Sequence, residues 1–424
     1  MNNFSLKKDF LLGVATASTQ IEGGDAQTNW SDWYKMGMIK DNTSPSVCND
    51  HYNRYIEDSY LLKEMGIKIY RMGIEWARIN PSMGVFDEEA LKHYRKEIGL
   101  LISLGIRPLL TLHHFSNPLW FEKLGAFTKK ENVKYFLDFA RFVINNVGDI
   151  VSDYITINEP NVYASFSYLY GIWYPGHKNF KETYEVISNL SYCHIECYKM
   201  IHEFRKDYEE TNVSFSNHVR VFDPAKPRYK TITKLSEYLY QGALSKAFYK
   251  GIFKWPMKNH FKVKKGEYVD FIGINYYSRS FISGLKDGIK PNTPRNDLNW
   301  EIYPKGIVRV SEKLYDIIKR PIWITENGTC DNTDSYRSLY IYEHLKEISE
   351  SDLPFKRFYH WCFLDNWEWA EGESARFGIV YNDFNTQERK IKPSGYFYMD
   401  IIKNNGVTVD AYNKYVLNEK YNIK

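Results

Sequence analysis

Short apolar segments recur along the chain, and several of them are continuous runs rather than alternations of apolar and polar residues. Continuous runs of this kind are typical of strands that are buried on both faces, as in a parallel sheet. Eight segments are therefore predicted as strands. They cover residues 10–15, 67–73, 107–113, 153–158, 212–217, 270–276, 321–325 and 357–363.

Between the predicted strands, apolar residues recur at the three- and four-residue spacing that is typical of amphipathic helices. The first two helical patterns stop at Gly66 and Gly105, and glycine commonly follows the last turn of a helix. The predicted helices cover residues 52–65, 88–104, 130–147, 180–208, 233–250, 307–319, 335–350 and 394–404.

This alternation of strands and helices predicts an α/β fold with a parallel sheet, because strand–helix–strand units have right-handed crossovers. Eight such units within 424 residues fit a closed (β/α)8 barrel, the TIM barrel, better than an open doubly wound sheet. No Gly-x-Gly-x-x-Gly motif follows the first predicted strand, which argues against a dinucleotide-binding fold. Since no linker or abrupt change of composition interrupts the pattern, residues 1–424 are predicted to form a single barrel domain.

The amino-acid composition and charge argue for some classes of function and against others. Aromatic residues make up 17% of the chain, with 11 Trp and 35 Tyr, and such side chains serve both in cores and as flat surfaces for sugar rings. A formal net charge of +4 without a dense Lys/Arg run argues against nucleic-acid binding. No apolar stretch approaches the ~20 residues needed to cross a membrane, so no membrane association is expected.

The cysteines and the N-terminal residues bear on the location of the protein. The five cysteines, at positions 48, 193, 197, 330 and 362, form no Cys-x-x-Cys pair, which favours free thiols in a reducing compartment. Lys7-Lys8 followed by the apolar residues 10–17 resembles a short secretory signal. Asp9 and the Gly and Thr residues within the run favour a buried first strand instead, and a cytoplasmic location is expected.

The carboxyl ends of the strands form the face of a (β/α)8 barrel at which active sites lie. Polar residues stand at or just after the ends of six predicted strands and are therefore candidates for catalysis. They are Gln20, Glu22, Arg71, His113, His114, Asn158, Glu159, Asn275, Tyr277, Glu326 and Asn327. Because neighbouring residues of a strand point to opposite faces, His113 and His114 are not expected to share a metal ion, and no metal site is predicted.

Two of these candidates are glutamates in matching surroundings. Glu159 and Glu326 each end an apolar strand and lie close before a turn-forming residue, Pro160 or Gly328. Two carboxyl groups that face one cavity can cleave a glycosidic bond, one as an acid and the other as nucleophile or base. A separation of about 5 Å would give retention of configuration, and one of about 6.5–9.5 Å would give inversion. The alternative for each glutamate is a strand-end residue in a salt bridge.

Five segments give the chain a resemblance to a known family. They are residues 15–23 (ATASTQIEG), 76–79 (WARI), 156–160 (TINEP), 324–328 (ITENG) and 364–372 (LDNWEWAEG). With these segments in this order, the chain resembles the retaining β-glucosidases and β-galactosidases of glycoside hydrolase family one, from the first strand to the last helix. The resemblance implies hydrolysis of terminal glucosyl, galactosyl or fucosyl residues through a covalent glycosyl-enzyme, and it implies no cofactor.

Matched position by position, the resemblance assigns roles to individual residues. It implies that Glu159 is the acid/base and that Glu326 is the nucleophile. It also implies that Arg71 and Tyr277 hydrogen-bond the carboxylate of Glu326, and that Asn158 binds the sugar 2-hydroxyl. The residues expected to bind substrate are Gln20, His114, Asn275, Trp300, Trp361, Glu368, Trp369 and Phe377. For the aromatic members, a place in the core is the alternative.

The chain departs from the family pattern in two respects, and one matching residue bears on the substrate. Phe115 follows His114 where many members have Trp, so an indole hydrogen bond to the sugar is not expected. The chain is shorter than many members, which implies trimmed loops and a more open aglycone side. Glu368 stands where members that act on 6-phosphorylated sugars have a small residue, and its charge would repel a phosphate, so the expected substrate is unphosphorylated.

Two alternative functions remain open on the sequence. One is a catalytically silent barrel that binds carbohydrate, although such proteins usually lose one of the two glutamates. The other is a transglycosidase, in which a sugar replaces water as the acceptor. In each case the expected partner is a small-molecule β-glycoside or an oligosaccharide, and neither the preferred sugar nor the oligomeric state can be derived from the sequence.

Overall fold

Eight parallel strands hydrogen-bond in a closed ring in the computed structural model, which describes residues 2–423. They are β1 (Leu11–Ala15), β2 (Ile69–Gly73), β3 (Arg107–Thr111), β4 (Asp153–Asn158), β5 (Asn212–Pro224), β6 (Ile272–Ser283), β7 (Ile322–Asn327) and β8 (Phe355–Trp361). The ring closes because β7 pairs with both β6 and β8, and β8 pairs with β1. The predicted (β/α)8 barrel is confirmed.

The longer helices alternate with the strands, as predicted. They are α1 (His51–Glu64), α2 (Glu88–Ser103), α3 (Val133–Val147), α4 (Phe180–Phe204), α5 (Lys230–Glu237), α6 (Ala243–Lys250), α7 (Gly306–Ile317), α8 (Arg337–Ser349) and α9 (Pro393–Asn404). Shorter helical segments lie at Ser18–Ile21, Asn29–Lys35, Trp76–Ile79, Leu119–Lys123, Ala126–Thr128, Lys130–Asn132, Pro160–Ala164, Ser165–Leu169, Pro227–Tyr229, Tyr238–Gly242, Trp369–Ser374 and Val409–Tyr415.

Helix α3 shows how the apolar spacing positions these helices. Its residues Phe136, Phe139, Val143, Ile144 and Val147 are all buried, and their spacing of one, three or four residues places them on one face of the helix. Burying such a face contributes roughly 1.5–3 kcal/mol for each large apolar side chain.

One predicted helix is interrupted. The pattern over residues 233–250 predicts one continuous helix, whereas the structure has α5 and α6 joined by a π-helical turn at Tyr238–Gly242. A π turn adds one residue between successive hydrogen-bonded groups while preserving the helical direction, so an apolar period does not reveal it.

Strands β5 and β6 extend beyond the barrel. Predicted to end at residues 217 and 276, they continue to Pro224 and Ser283 and stay paired up to Pro224 with Ile282. A third strand, Lys286–Gly288, turns back along β6 as a hairpin. These extensions rise above the carboxyl ends of the other strands and add a wall to the cavity there.

The two ends of the chain are tied to the barrel by short antiparallel pairs. Phe4–Ser5 pairs with Gly406–Val407, and Asn422–Ile423 pairs with Pro294–Arg295. The N-terminal apolar run enters the barrel as the buried strand β1, in agreement with the strand interpretation. Within residues 2–423, no helix has both the length and the apolar character that a membrane span requires. The remaining strand pair joins Val380–Asn382 to Arg389–Ile391.

Candidate active site

The carboxyl ends of the barrel strands surround a cavity of about 710 Å³. Glu159, which follows β4, and Glu326, near the end of β7, both line this cavity and are both buried. Seven other sequence-predicted residues share the lining, namely His114, Tyr277, Trp300, Trp361, Glu368, Trp369 and Phe377. The four that remain, Gln20, Arg71, Asn158 and Asn275, are fully buried behind them. The structure therefore brings all thirteen predicted site residues to one end of the barrel.

The carboxylate of Glu326 is held at both oxygens. Arg71 donates from Nη1 to Oε1 at 2.6 Å, and the Tyr277 hydroxyl donates to Oε2 at 2.6 Å. Charge-assisted hydrogen bonds of this length are about twice as strong as neutral ones. Both donors favour the ionised form of Glu326, which is the form a nucleophile needs.

Arg71 contacts both the nucleophile candidate Glu326 and the neighbour of Glu159, Asn158. Its side chain is completely buried, and besides Glu326 it donates to the Thr111 hydroxyl at 3.1 Å and to Asn158 Oδ1 at 2.7 Å. A buried guanidinium requires such partners, because an unpaired charge in the interior is costly. The arrangement fixes the amide of Asn158, so that its Nδ2 is directed to His114 Nε2 at 2.9 Å.

Glu159 is presented by an unusual backbone geometry. Its φ of 41° lies in the left-handed region, which residues other than glycine adopt uncommonly and often at functional sites. Its Oε1 accepts a hydrogen bond from Asn275 Nδ2 at 2.8 Å. The same Nδ2 reaches Asn158 at 3.0 Å, and Asn275 Oδ1 accepts from the Thr325 hydroxyl. Asn275 thus contacts the acid/base candidate itself, and its predicted contact with sugar stays a prediction.

One residue of this cluster, His218, was not predicted from the sequence. His218 lines the cavity, and its Nδ1 lies 3.1 Å from Glu159 Oε1. A signal was available, since His218 directly follows the fifth predicted strand and so satisfies the strand-end rule. It was obscured because β5 continues past this position instead of ending there.

Burial changes the acidity of the carboxyl groups in the cavity. Removal from water, opposed by Arg71 and by the hydrogen bond of Tyr277 and reinforced by the charge of Glu159, raises the pKa of Glu326 to about 7. Burial also raises the pKa of Glu368 to about 8. The charge of Glu159 thus opposes ionisation of Glu326, whereas Arg71 and Tyr277 favour it.

Buried polar atoms at the base of the cavity suit the hydroxyl groups of a sugar. Gln20 donates from Nε2 to Glu368 Oε2 at 2.9 Å, which fixes the orientation of its amide. Gln20 Oε1 and His114 Nδ1 are buried without a hydrogen-bond partner among residues 2–423. An acceptor and a donor of this kind are costly unless a ligand or water satisfies them.

Aromatic rings form the walls of the cavity. The His114 ring lies 5.7 Å from that of Trp361 and 5.6 Å from that of Trp369. The Phe115 ring lies 5.2 Å from that of Trp369 and carries no hydrogen-bond donor. At the mouth, Trp300 is 38% exposed. These aromatic residues face the cavity as well as the core.

The strand-end rule also selected residues that serve the fold. Glu22 was a candidate, but its carboxylate bonds Arg78 and Tyr94 outside the cavity, because it lies two residues beyond Gln20 along a helical turn and faces the opposite way. Asn327 donates to the carbonyl of Tyr276 within the protein. Neither side chain lines the cavity, because position along the chain does not determine the direction of a side chain.

His113 and His114 point to different sides, as expected for neighbours on a strand. His113 Nε2 bonds Asn117 Oδ1 at 2.9 Å among aromatic rings of the core, whereas His114 lines the cavity. Within residues 2–423, no three His, Cys, Asp or Glu side chains are grouped in a way that could hold a metal ion.

The mouth of the cavity is also lined by apolar side chains from loops and from two short helical segments. They are Met38, Val162, Phe166, Ile172, Trp173, Ile289 and Leu298. These residues were not predicted from the sequence, because loops and single helical turns are too short to show an apolar period that relates a position to the cavity.

Comparisons with known proteins agree with this geometry. Residues 2–407 match the sequence profile of Glycosyl hydrolase family 1. The chain belongs to glycosyl hydrolase family 1. Among the relatives of this family-1 chain, beta-glucosidase A of Thermotoga maritima is 32% identical over 96% of this chain and 100% of the relative. Beta-glucosidase A of Acetivibrio thermocellus is 33% identical, with the same coverage.

Solved structures of family members have the same fold. The beta-glycosidase from Pyrococcus horikoshii superposes with a TM-score of 0.90 at 29% identity, covering 98% of this chain and 99% of that one. The beta-glucosidase from Thermotoga maritima in complex with deoxynojirimycin superposes with a TM-score of 0.88 at 30% identity, covering 96% and 100%. The family-1 chain is thus a glycoside hydrolase whose barrel matches those of its relatives over nearly their whole length.

Proposed function

We propose that this protein is a retaining β-glycosidase that removes a terminal glucosyl, galactosyl or fucosyl residue from unphosphorylated β-glycosides. The observation that carries the proposal is the unequal environment of the two glutamates. Glu326 receives a guanidinium and a phenol donor, whereas Glu159 Oε1 contacts the amide of Asn275 and a ring nitrogen of His218. Unequal environments assign different protonation states to two carboxyl groups of one site. We therefore assign the role of nucleophile to Glu326 and the role of acid/base to Glu159.

In the first step, the Glu326 carboxylate attacks the anomeric carbon while Glu159 donates its proton to the departing oxygen. The C–O bond to the aglycone breaks, and an ester bond to Glu326 forms. In the second step, Glu159, now ionised, accepts a proton from water, which attacks the same carbon and releases Glu326. Asn158, fixed by Arg71, is positioned to hydrogen-bond the sugar 2-hydroxyl through its Nδ2.

The pairing of the cationic side chains in the cavity lining supports an unphosphorylated substrate. Glu368 lies with Gln20 at the base, where the outer hydroxyls of the sugar would bind. The three cationic side chains of the lining, Lys40, Arg220 and Arg279, already face the carboxylates of Glu371, Asp287 and Glu301 respectively. Within residues 2–423, a phosphate group in the cavity would therefore find each cation of the lining already paired with a carboxylate.

A substrate panel with product analysis tests the proposal. We expect release of nitrophenol from one or more of the β-glucoside, β-galactoside and β-fucoside, and at least a 100-fold lower kcat/KM for the 6-phosphoglucoside. Proton NMR of the first product should show the β-anomer, and initial formation of the α-anomer would refute retention. Absence of activity over the whole panel at pH 4–9 would favour the silent carbohydrate-binding barrel.

The balance between hydrolysis and transfer is a separate outcome of the same assay. Added alcohol or sugar acceptors compete with water for the glycosyl-enzyme. If transfer products exceed hydrolysis at millimolar acceptor, the protein is a transglycosidase, and the roles of both glutamates are unchanged.

A reducing compartment, as in the cytoplasm, is the proposed location. All five cysteines are buried free thiols, and burial raises the pKa of those at 48, 193, 197, 330 and 362. Such thiols pack as small apolar groups and do not require oxidation. Detection of the protein in a secreted rather than a cytosolic cell fraction would contradict this location.

A further inference from the structure

A chain of hydrogen bonds leads from strand β5 to the acid/base candidate. Arg220 donates from Nε to His218 Nε2 at 3.2 Å, and the other ring nitrogen of His218, Nδ1, lies 3.1 Å from Glu159 Oε1. Residues 218 and 220 lie two apart on a strand and therefore share a face. The mechanism outlined above uses neither side chain.

The direction of these hydrogen bonds follows from the chemistry of the donors. A guanidinium has no acceptor atom, so His218 Nε2 must supply a lone pair to Arg220. The ring is then neutral, with its hydrogen on Nδ1, and Nδ1–H donates to Glu159. Arg220 thereby selects the tautomer of His218 in the way that an outer partner selects the tautomer of many functional histidines.

The surrounding residues hold this chain in place. Gln241 contacts Arg220 twice, accepting from its backbone N–H at 2.9 Å and donating to its carbonyl at 3.1 Å. Asn161, in the first turn after Glu159, donates to the carbonyl of His218 at 2.8 Å. The His218 ring also stacks on Tyr277, with centroids 5.9 Å apart and planes at 18°. The relation between His218 and Glu159 is therefore fixed from both sides.

The two oxygens of Glu159 differ as a result. Oε1 accepts from His218 and from Asn275, whereas no hydrogen bond joins Oε2 to another group within residues 2–423. A protonated carboxyl carries its hydrogen on one oxygen only, and an oxygen that already accepts two donors is the unfavourable place for it. The acidic hydrogen is therefore directed to Oε2.

We propose that His218, held by Arg220, is a positioning residue that places the acidic hydrogen of Glu159 on Oε2, the oxygen presented to the leaving group. The inference rests on the proposed acid/base role of Glu159. When Oε2–H passes to the departing oxygen, the hydrogen bond from His218 Nδ1–H strengthens, because its acceptor is now charged. His218 keeps its own hydrogen throughout both steps.

Two substitutions of His218 distinguish the effect of its N–H donor from the effect of its ring. His218→Phe keeps a flat ring against Tyr277 and removes the donor, whereas His218→Asn keeps an N–H close to the position of Nδ1. For phenyl β-glycosides of the preferred sugar, which need a proton on departure, we expect kcat/KM to fall about 10- to 50-fold in His218→Phe. For the 2,4-dinitrophenyl analogue, which departs without one, we expect a loss below about threefold.

Recovery of kcat/KM in His218→Asn is the more demanding part of the test. His218→Asn should return the phenyl substrate to within about fivefold of the parent enzyme, since the donor to Oε1 is present again. Arg220→Met should give the same bias toward the activated substrate, to a smaller degree, because both tautomers of His218 become accessible. If His218→Phe does not fold, Arg220→Met still tests the positioning role of His218.

Equal losses for the two leaving groups in His218→Phe and Arg220→Met, or no recovery in His218→Asn, would overturn the positioning role. Glu159→Ala is assayed alongside. If Glu159→Ala itself loses both substrates equally, the proposed acid role of Glu159 fails. If it shows a strong bias while the His218 variants show none, only the inference about His218 fails.

Discussion

The hydroxyl of Tyr277 is the smallest group whose removal should change the ionisation of the nucleophile. Tyr277→Phe deletes the hydrogen bond of 2.6 Å to Glu326 Oε2 and keeps the ring that stacks on His218. A hydrogen bond to a charged group contributes ~1.5–3 kcal/mol. One pKa unit corresponds to ~1.36 kcal/mol, so the substitution should raise the pKa of Glu326 by about 1–2 units.

The sign of the effect on catalysis follows from which form reacts. Glu326 attacks as a carboxylate, so the acidic limb of kcat/KM against pH should move to higher pH by the same 1–2 units. The limb is measured with an activated aryl glycoside between pH 4 and pH 9. Tyr276→Phe is the matched control, because the Tyr276 hydroxyl donates to the carbonyl of Tyr303, away from the cavity.

An acidic limb that stays in place in Tyr277→Phe, or that moves equally in Tyr276→Phe, would refute the reasoning. In the first case, the phenol does not stabilise the ionised nucleophile. In the second, the shift reflects a general change in the barrel rather than the lost hydrogen bond.

Three further predictions address the nucleophile, a buried acid and the cavity mouth. Glu326→Gly should lower turnover by at least about 10⁴-fold, and azide should restore formation of an α-glycosyl product, detected by NMR. Burial raises the pKa of Glu122 to about 7, so the folded protein binds this proton more tightly than the unfolded chain, and the free energy of unfolding falls as pH rises from about 4.5 to 7. Glu122→Gln removes this dependence. Between pH 5 and pH 8, the Tm of the variant should therefore fall by about 2–4 °C less than the Tm of the parent enzyme. Tyr421 packs beside the strand pair that ties Asn422–Ile423 to Pro294–Arg295, near the loop that carries Trp300. Tyr421→Ala should raise KM for aryl glycosides about three- to tenfold without changing inhibition by deoxynojirimycin.

The barrel itself was predictable because its strands are buried on both faces. Each predicted strand overlaps an observed one, and the starts agree within two residues. The late ends of β5 and β6 were not predictable in this way. Beyond residues 217 and 276, both strands carry polar side chains such as Arg220 and Arg279, which end the apolar run although the backbone pairing continues. The two extensions pair with each other, and β6 also pairs with the hairpin strand. The pattern of apolar positions does not predict such pairing.

The same distinction explains which site residues the sequence indicated. Glu159 and Glu326 stand at strand ends within recognisable motifs, so their convergence follows from the topology alone. Gln20 and Glu22 show the limit of that rule, since both follow β1 but only Gln20 turns toward Glu368. Direction is set by local backbone geometry, and a spacing of two residues on a helical turn separates side chains by about 200°.

The environment of Glu159 depends on the pairing of neighbouring strands, which the pattern of residues along the chain does not show. Its Oε1 is contacted by a residue from β5 and one from β6, and these strands lie next to Glu159 because β4, β5 and β6 pair side by side in register. The left-handed backbone of Glu159 directs the carboxyl group toward both donors. The glutamate can be found from its motif, but the oxygen that carries the acidic hydrogen is selected by contacts across three strands. Reactivity at this site is therefore a property of three paired strands, and substitutions on β5 should alter it without changing the motif that contains Glu159.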